Sequence, residues 1–214
     1  MSAIDLTLPA NDGLLVGATW SPVKRARAVL LLCHRSHFHR GEYAEITPKL
    51  TALGYACLAI DQRSGMKVLG RENETYLRAK QRGLPTGYGN ARPDIEGAIS
   101  FCRRKKLPVL LVGSSYSASL AWLVAGTRVH AMALFSPGQY LKGIDITQTP
   151  IEVPTFVTAA RKEVAGVKRL LPRTPNVTLF SPRAEGAHGA RCLWERSPGH
   201  AAYWAAFTHF LGLL

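Results

Sequence analysis

Residues 109–118 read VLLVGSSYSA, an apolar run that passes through Gly113-Ser114-Ser115-Tyr116-Ser117 into small residues. Such a run reads as a strand buried on both faces, as in a parallel sheet. Ala118, Leu120, Ala121, Leu123 and Val124 then continue it as a helix. A serine hydroxyl that must project above the edge of such a sheet needs a sharp strand-to-helix turn. Small residues two before and two after the serine let the backbone turn without clashes. Gly113 and Ser117 hold those positions around Ser115. The helix that follows aims its N-terminus at the serine, which favours negative charge there, and offers the Tyr116 N–H as a donor to an oxyanion. An ordinary strand–helix turn that uses serines as caps is the plainer reading of the same residues.

Working outward, strand-like and helix-like segments alternate from about residue 28, which predicts a parallel sheet covered by helices on both faces. Residues 4–9 and 14–21 read as strands joined by the turn Asn11-Asp12-Gly13, an antiparallel entry. Residues 28–33 (AVLLLC) and 55–60 (YACLAI) are further buried strands. Between them lie a loop over 34–40 and a helix over 42–53, in which Pro48 implies a kink. Residues 62–92 are polar, carry Gly65, Gly70, Gly83, Gly87 and Gly89, and hold a short helix around 72–81. A segment of that length in a compact domain is expected to serve as a partial lid or substrate-facing insertion. Pro93 opens a helix that ends in the basic run 103–106. Strands follow at 129–134, 155–159 and 177–180, with a helix over 163–171 and a loop carrying His188-Gly189. Ser197-Pro198 reads as the cap and first position of a last helix. The expectation is α/β class: one domain over 1–214, a three-layer α/β/α sandwich. Its mostly parallel sheet has about eight strands and an antiparallel N-terminal edge.

Composition bounds the function. The chain has 214 residues, 47% of them apolar and 19% charged, which suits a globular core and not a disordered segment. Cys33, Cys57, Cys102 and Cys192 form no CxxC pair and read as reduced thiols. The N-terminal residues lack the basic and apolar regions of a secretory signal, and no apolar run is long enough to span a bilayer. A cytoplasmic protein without membrane partner is expected. The net charge of +13 sets up a field that attracts anions, although dispersed Lys and Arg also simply solvate a surface. Nucleic-acid motifs with interleaved aromatics are missing. So are a GxGxxG after the first strand and a P-loop, which leaves no cofactor expected. His34, His37 and His39 cluster as HxxHxH with no partner Cys pair or carboxylate, a poor zinc pattern, so no metal is expected.

With these motifs in place, the chain resembles the α/β-hydrolase fold family, in particular its small, lid-poor branch of dienelactone-hydrolase-like and esterase members. The resemblance runs over essentially the whole chain. LLLCHRS looks like the family's strand and oxyanion loop, GYACLAIDQRSG its strand ending in Asp-x-Arg-Gly, and GSSYS its nucleophile elbow. VPTFVTAARKEVAG looks like the segment that brings the acid, and GAHG like the histidine loop. The resemblance implies Ser115 as nucleophile, Glu163 as acid and His188 as base, in the chain order Ser, acid, His. His188 also stands out among seven histidines by its Gly-rich loop after the last strand. Glu185 and Glu152 are rival acids.

Two positions depart from the family pattern. Arg35 stands where glycine is usual in the oxyanion loop, so the Ser36 N–H is chosen as second donor beside Tyr116. The acid is Glu where Asp is commoner. The remaining loop residues His34, Arg35 and His37 are assigned to substrate binding, with His34 packing under the loop. Asp61 and Arg63 read as a structural ion pair or turn. The resemblance implies a serine hydrolase acting on a small ester-like substrate, which the positive field would favour as an anion, through an acyl-enzyme. A ligand-binding protein that keeps the fold without catalysis is the alternative, and a basic nucleic-acid or membrane-surface binder a third reading.

Overall fold

The computed structural model describes residues 2–68 and 70–214; Leu69, within the 62–92 segment, and Met1 lie outside the described residues. One eight-stranded sheet runs through the molecule in the order β1-β2-β4-β3-β5-β6-β7-β8. The strands are β1 (Ile4–Pro9), β2 (Leu15–Ser21), β3 (Val29–Cys33), β4 (Ala56–Ile60), β5 (Val109–Ser114), β6 (Ala131–Phe135), β7 (Thr155–Thr158) and β8 (Val177–Phe180). β2 pairs antiparallel with β1 and with β4, and every other pairing is parallel. The expected three-layer sandwich with an antiparallel N-terminal edge is therefore present.

The central strands β3, β4, β5 and β6 are buried at every residue, as their unbroken apolar runs require. Alternate residues feed two cores. Leu30, Leu32, Leu110, Val112 and Phe135 meet α1 (Ile46–Ala52) and α6 (His200–Gly212) on one face. Leu31, Leu58, Ile60, Leu111 and Leu134 meet α3 (Arg92–Arg103) and α4 (Tyr116–Ala125) on the other. α2 (Glu74–Gln81) adds Ala79 and α5 (Arg161–Leu170) adds Val167 to that second core.

Helix boundaries differ from the sequence reading most at three places. The helix expected over 42–53 is a 3-10 turn, Arg40–Tyr43, followed by the shorter α1. Pro48 falls in the first turn of α1, where a backbone N–H has no helical partner to lose, so no kink is needed. The last helix starts at His200 after Gly199 in the left-handed region; the Ser197 hydroxyl donates to the Arg191 carbonyl instead of capping it. α3 ends at Arg103, and Lys106 turns back with a φ of 57° into β5. In the 62–92 segment Gln62, Arg63 and Ser64 are buried, α2 packs on β2, and Thr75 Oγ1 accepts the Gly17 N–H.

Candidate active site

Because β3 and β5 to β8 run parallel, the loops leaving their C-terminal ends gather along one edge of the sheet, where α/β sheets bind ligands. Those loops carry residues 34–40, Ser115, Ser136, Glu163 and His188. The tightest is the elbow after β5. Ser115 has φ 61° and ψ −125°, a strained conformation for a residue with a side chain. It is held by its N–H donating to the Phe135 carbonyl at 2.8 Å. A Cβ on Gly113 would lie 2.4 Å from the Ala118 Cα, so only glycine fits two residues before the serine. Two residues after it, Ser117 is the other small residue of the turn. Its hydroxyl accepts the Ser114 N–H at 2.8 Å and lies 2.8 Å from the Cys33 carbonyl, which stitches the turn to β3.

His188 lies between the other two groups. Its Nε2 is 2.8 Å from Ser115 Oγ and its Nδ1 is 2.7 Å from Glu163 Oε1. The short reach between α5 and the histidine loop is what lets a Glu fill the place: Glu163 sits in the first turn of α5, which begins directly after β7. Its second oxygen accepts the Ser136 hydroxyl at 2.7 Å and the Ala160 N–H at 3.3 Å. Burial opposes the charge on Glu163, but hydrogen bonds from His188 and Ser136 outweigh it and hold the carboxyl below its ordinary range. Glu185 and Glu152 are exposed and make no hydrogen bond to His188 among the described residues. Glu185 instead lines a cleft of about 730 Å³ behind the pair, with Arg161, Lys162 and Arg191.

The Tyr116 and Ser36 N–H groups have no hydrogen-bond partner among the described residues. The Arg35 N–H between Ser36 and His34 is already committed, donating to Glu42 Oε2 at 2.6 Å.

His34 requires a correction. It is fully buried and cannot touch a substrate. Its Nε2 accepts the Gln62 N–H at 2.9 Å and its Nδ1 lies 2.7 Å from the Arg35 carbonyl, so the ring is a neutral strut between the loops after β3 and β4. Burial, above all, lowers its pKa to about 4. His37 is exposed at a φ of 54°, and His39 spends both nitrogens on Gly41 N–H and the Val68 carbonyl. The three histidines of HxxHxH thus do not converge: His34 and His39 have separate partners, and His37 faces solvent. Asp61 and Arg63 do not pair with each other: Asp61 holds Arg40 at 2.6 Å, and Arg63 is held by Asp12 at 2.6 Å and Asp94 at 2.7 Å.

Four residues escaped the sequence reading. Ser136 bridges Glu163 to the Gly189 N–H. Ser114 Oγ donates to the buried Glu42 Oε1 at 2.8 Å and accepts the Ala190 N–H at 2.9 Å. A Cβ on Gly189 would lie 2.3 Å from that oxygen. Tyr140 sets its ring edge-on to His188 at 6.4 Å. Burial first, and then the Glu163 charge, raise the Tyr140 pKa. The signal available for Ser136 and Tyr140 was their position in the loop at the C-terminal end of β6, beside the strand that carries the elbow.

The sequence profile of the family described as serine aminopeptidase, S33, matches residues 24–173. None of the curated protein sequences matches the chain. Among solved structures it superposes on an esterase of Pyrococcus furiosus with a TM-score of 0.74 at 16% identity, over 99% of this chain and 92% of that one. A dienelactone hydrolase of Anabaena variabilis gives 0.69 at 16% identity, over 98% and 95%. The esterase domain of a Rhodothermus marinus protein gives 0.65 at 16%, over 97% and 96%. At such identities the likeness is one of fold.

Proposed function

This chain belongs to the serine aminopeptidase S33 family of hydrolases, and from that premise we propose that it cleaves small esters through an acyl-enzyme on Ser115. The observation that carries the reading is the single imidazole within hydrogen-bond distance of both a strained serine and a carboxylate. His188 Nε2 takes the Ser115 proton as Oγ attacks the acyl carbon, then gives that proton to the leaving alcohol. A water molecule, activated by the same nitrogen, releases the acid and restores the serine. Glu163 fixes the tautomer that leaves Nε2 unprotonated and stabilises the imidazolium between the two transfers. The N–H groups of Tyr116 and Ser36 receive the oxyanion, at about 3 kcal/mol per donor.

Esters are preferred over peptides because the structural neighbours include esterases, and because no cap domain stands between β6 and β7 to select a chain. From the 62–92 segment Tyr88 stacks its ring on Tyr116 of the elbow at 4.7 Å, and Gln62 Nε2 donates to the Tyr116 hydroxyl at 3.0 Å.

The test is labelling with a fluorophosphonate, followed by a panel of acyl esters of graded chain length. One adduct on Ser115 is expected, absent in Ser115→Ala, whose turnover should fall by about 10⁶-fold with folding intact. Glu163→Gln should lower kcat by about 10⁴-fold while Glu185→Gln leaves it unchanged. Folded protein that takes no label would mark a binding protein, and faster cleavage of amino-acid anilides than of any ester would replace the ester by a peptide.

A further inference from the structure

The ladder between β3 and β4 stops where Cys33 faces Ile60. One residue on, the chain after β4 turns to β2, and the Asp61 N–H donates to the Gly17 carbonyl. His34, the first residue of the loop that carries Ser36, therefore has no strand beside it on this side. The Gln62 side chain takes that place. Its Oε1 accepts the His34 N–H at 2.9 Å and its Nε2 donates to the His34 carbonyl at 3.2 Å, the pair of bonds a neighbouring strand would make. Nε2 also donates to the Tyr116 hydroxyl at 3.0 Å. A carboxamide has two N–H donors, and this one uses both.

The carboxamide is fixed on every side. Gln62 is fully buried. Its N–H donates to His34 Nε2 at 2.9 Å, and its carbonyl accepts the Asn73 Nδ2 at 2.9 Å. Exchanging its oxygen and nitrogen would set donor against donor and acceptor against acceptor at His34, so only one orientation satisfies the network. Tyr116 is equally confined. It is fully buried, its hydroxyl lies 2.5 Å from Ser64 Oγ, and its ring stacks on Tyr88 at 4.7 Å.

A buried phenol needs a hydrogen-bond partner, and Ser64 already supplies one. What Gln62 adds is a connection. One end of its carboxamide holds the residue two before Ser36, and the other holds the side chain of Tyr116. Ser36 and Tyr116 each keep a backbone N–H without a partner among the described residues. An oxyanion hole works because its donors stand in place before charge develops. We propose that Gln62 is a positioning residue: its carboxamide ties the loop after β3 to the Tyr116 phenol and so holds the Ser36 and Tyr116 N–H groups at the separation an oxyanion on Ser115 needs. The inference rests on the acyl-transfer reading above, which supplies the oxyanion. Gln62 itself is buried beneath the site and touches no substrate.

The test separates the transition state from the ground state with one acyl chain. 4-Nitrophenyl hexanoate reads turnover. Pentyl trifluoromethyl ketone is attacked by Ser115: a bond forms between Oγ and the carbonyl carbon, the C=O electron pair moves onto the oxygen, and the serine proton passes to His188. Pentyl methyl ketone, which lacks the activating fluorines, reports binding of the same chain without that addition. Rates are taken per site titrated with a fluorophosphonate, so protein that fails to fold does not count. Gln62→Met should lower kcat about 30-fold, less than outright loss of a donor, with KM within about 2-fold. It should raise the Ki of the trifluoromethyl ketone by the factor by which kcat/KM falls, and leave the Ki of the methyl ketone unchanged. Tyr116→Phe removes only the hydroxyl. It should lower kcat about 5-fold in the same pattern, and it decides the matter alone if Gln62→Met leaves no site to titrate. In the double variant the loss should exceed that of Gln62→Met by no more than about 2-fold, because the tie is already cut.

Equal rises in the Ki of both ketones would mean a general distortion of the pocket and would overturn the proposal. So would a change confined to KM, losses that multiply in the double variant, or a kcat within about 2-fold of the parent in both single variants. A parent that takes no fluorophosphonate label sinks the acyl-transfer reading and the role of Gln62 with it. A parent that reacts, with variants that keep pace, sinks the role of Gln62 alone.

Discussion

Ser136 is a single buried hydroxyl on which two loops depend, since it donates to Glu163 and accepts from Gly189. It reaches both from a φ of 54°, a conformation that costs a residue with a side chain on the order of 1 kcal/mol. Ser136→Ala keeps the backbone but frees one carboxylate oxygen and one N–H. It should lower kcat by about 10-fold with KM little changed, as expected of a residue that positions the acid and touches no substrate. Ser136→Thr, which restores the hydroxyl, should recover part of the loss; a fall in KM-driven kcat/KM alone would assign Ser136 to substrate binding. At this scale the sequence was legible where covalent geometry forces the residue. Ser115 had to follow a glycine by two, and the clash a Gly113 Cβ would meet is the reason. Ser136, Ser114 and Glu42 were opaque because serines and glutamates are common in loops. Their meaning arises only when strands distant in the chain lie side by side.

Among elements, strands were easiest to read. A strand covered on both sides must be apolar throughout, and β3, β4 and β5 are buried along their whole length. Helix ends were harder, because Pro48 and Ser197 have several uses and the one adopted is decided by packing. The loop after β3 was harder still. His34, assigned to substrate binding, does pack under that loop as expected, but as a buried strut that joins it to the loop after β4 and not as a substrate contact. This has a consequence for stability. Its pKa is lowered from 6.5 to about 4, so the unfolded chain binds the proton more readily between those values. Stability contributed by the neutral ring is therefore fully present above about pH 6.5 and is lost as pH falls toward 4, by about 3 kcal/mol in all. Urea denaturation of the whole protein at pH 7 and pH 5 should show the loss, and His34→Gln, which cannot titrate, should be less stable at pH 7 yet flatter across the same window. Equal slopes for both proteins would mean that other groups govern the acid limb.

Over the whole molecule the charge of +13 says how many cations exceed anions, not which are paired. The structure divides them. Asp5, Asp12, Asp61, Glu74 and Asp94 are gathered around the buried Arg40 and Arg63, with Arg71 and Arg78 at the rim of the cluster, so five of the fourteen carboxylates are concentrated in one bracing network. No sequence pattern marks this, since Arg63 and its partners Asp12 and Asp94 are 51 and 31 residues apart. Arg63 ties three parts of the fold together: the hairpin turn between β1 and β2, the loop after β4, and the first turn of α3. Asp94 is fully buried, so removing its partner strands a carboxylate that retains only the Arg63 backbone N–H. Arg63→Met should cost about 3–5 kcal/mol of unfolding free energy, the range for breaking a buried pair from one side. Replacing both ends, as Arg63→Met with Asp94→Leu, removes the orphaned charge and should recover much of that loss. Guanidinium denaturation of the three proteins at one pH reads the difference directly. A single variant within about 1 kcal/mol of the parent, or a double variant worse than the single, would show that the network does not hold the antiparallel entry to the parallel sheet.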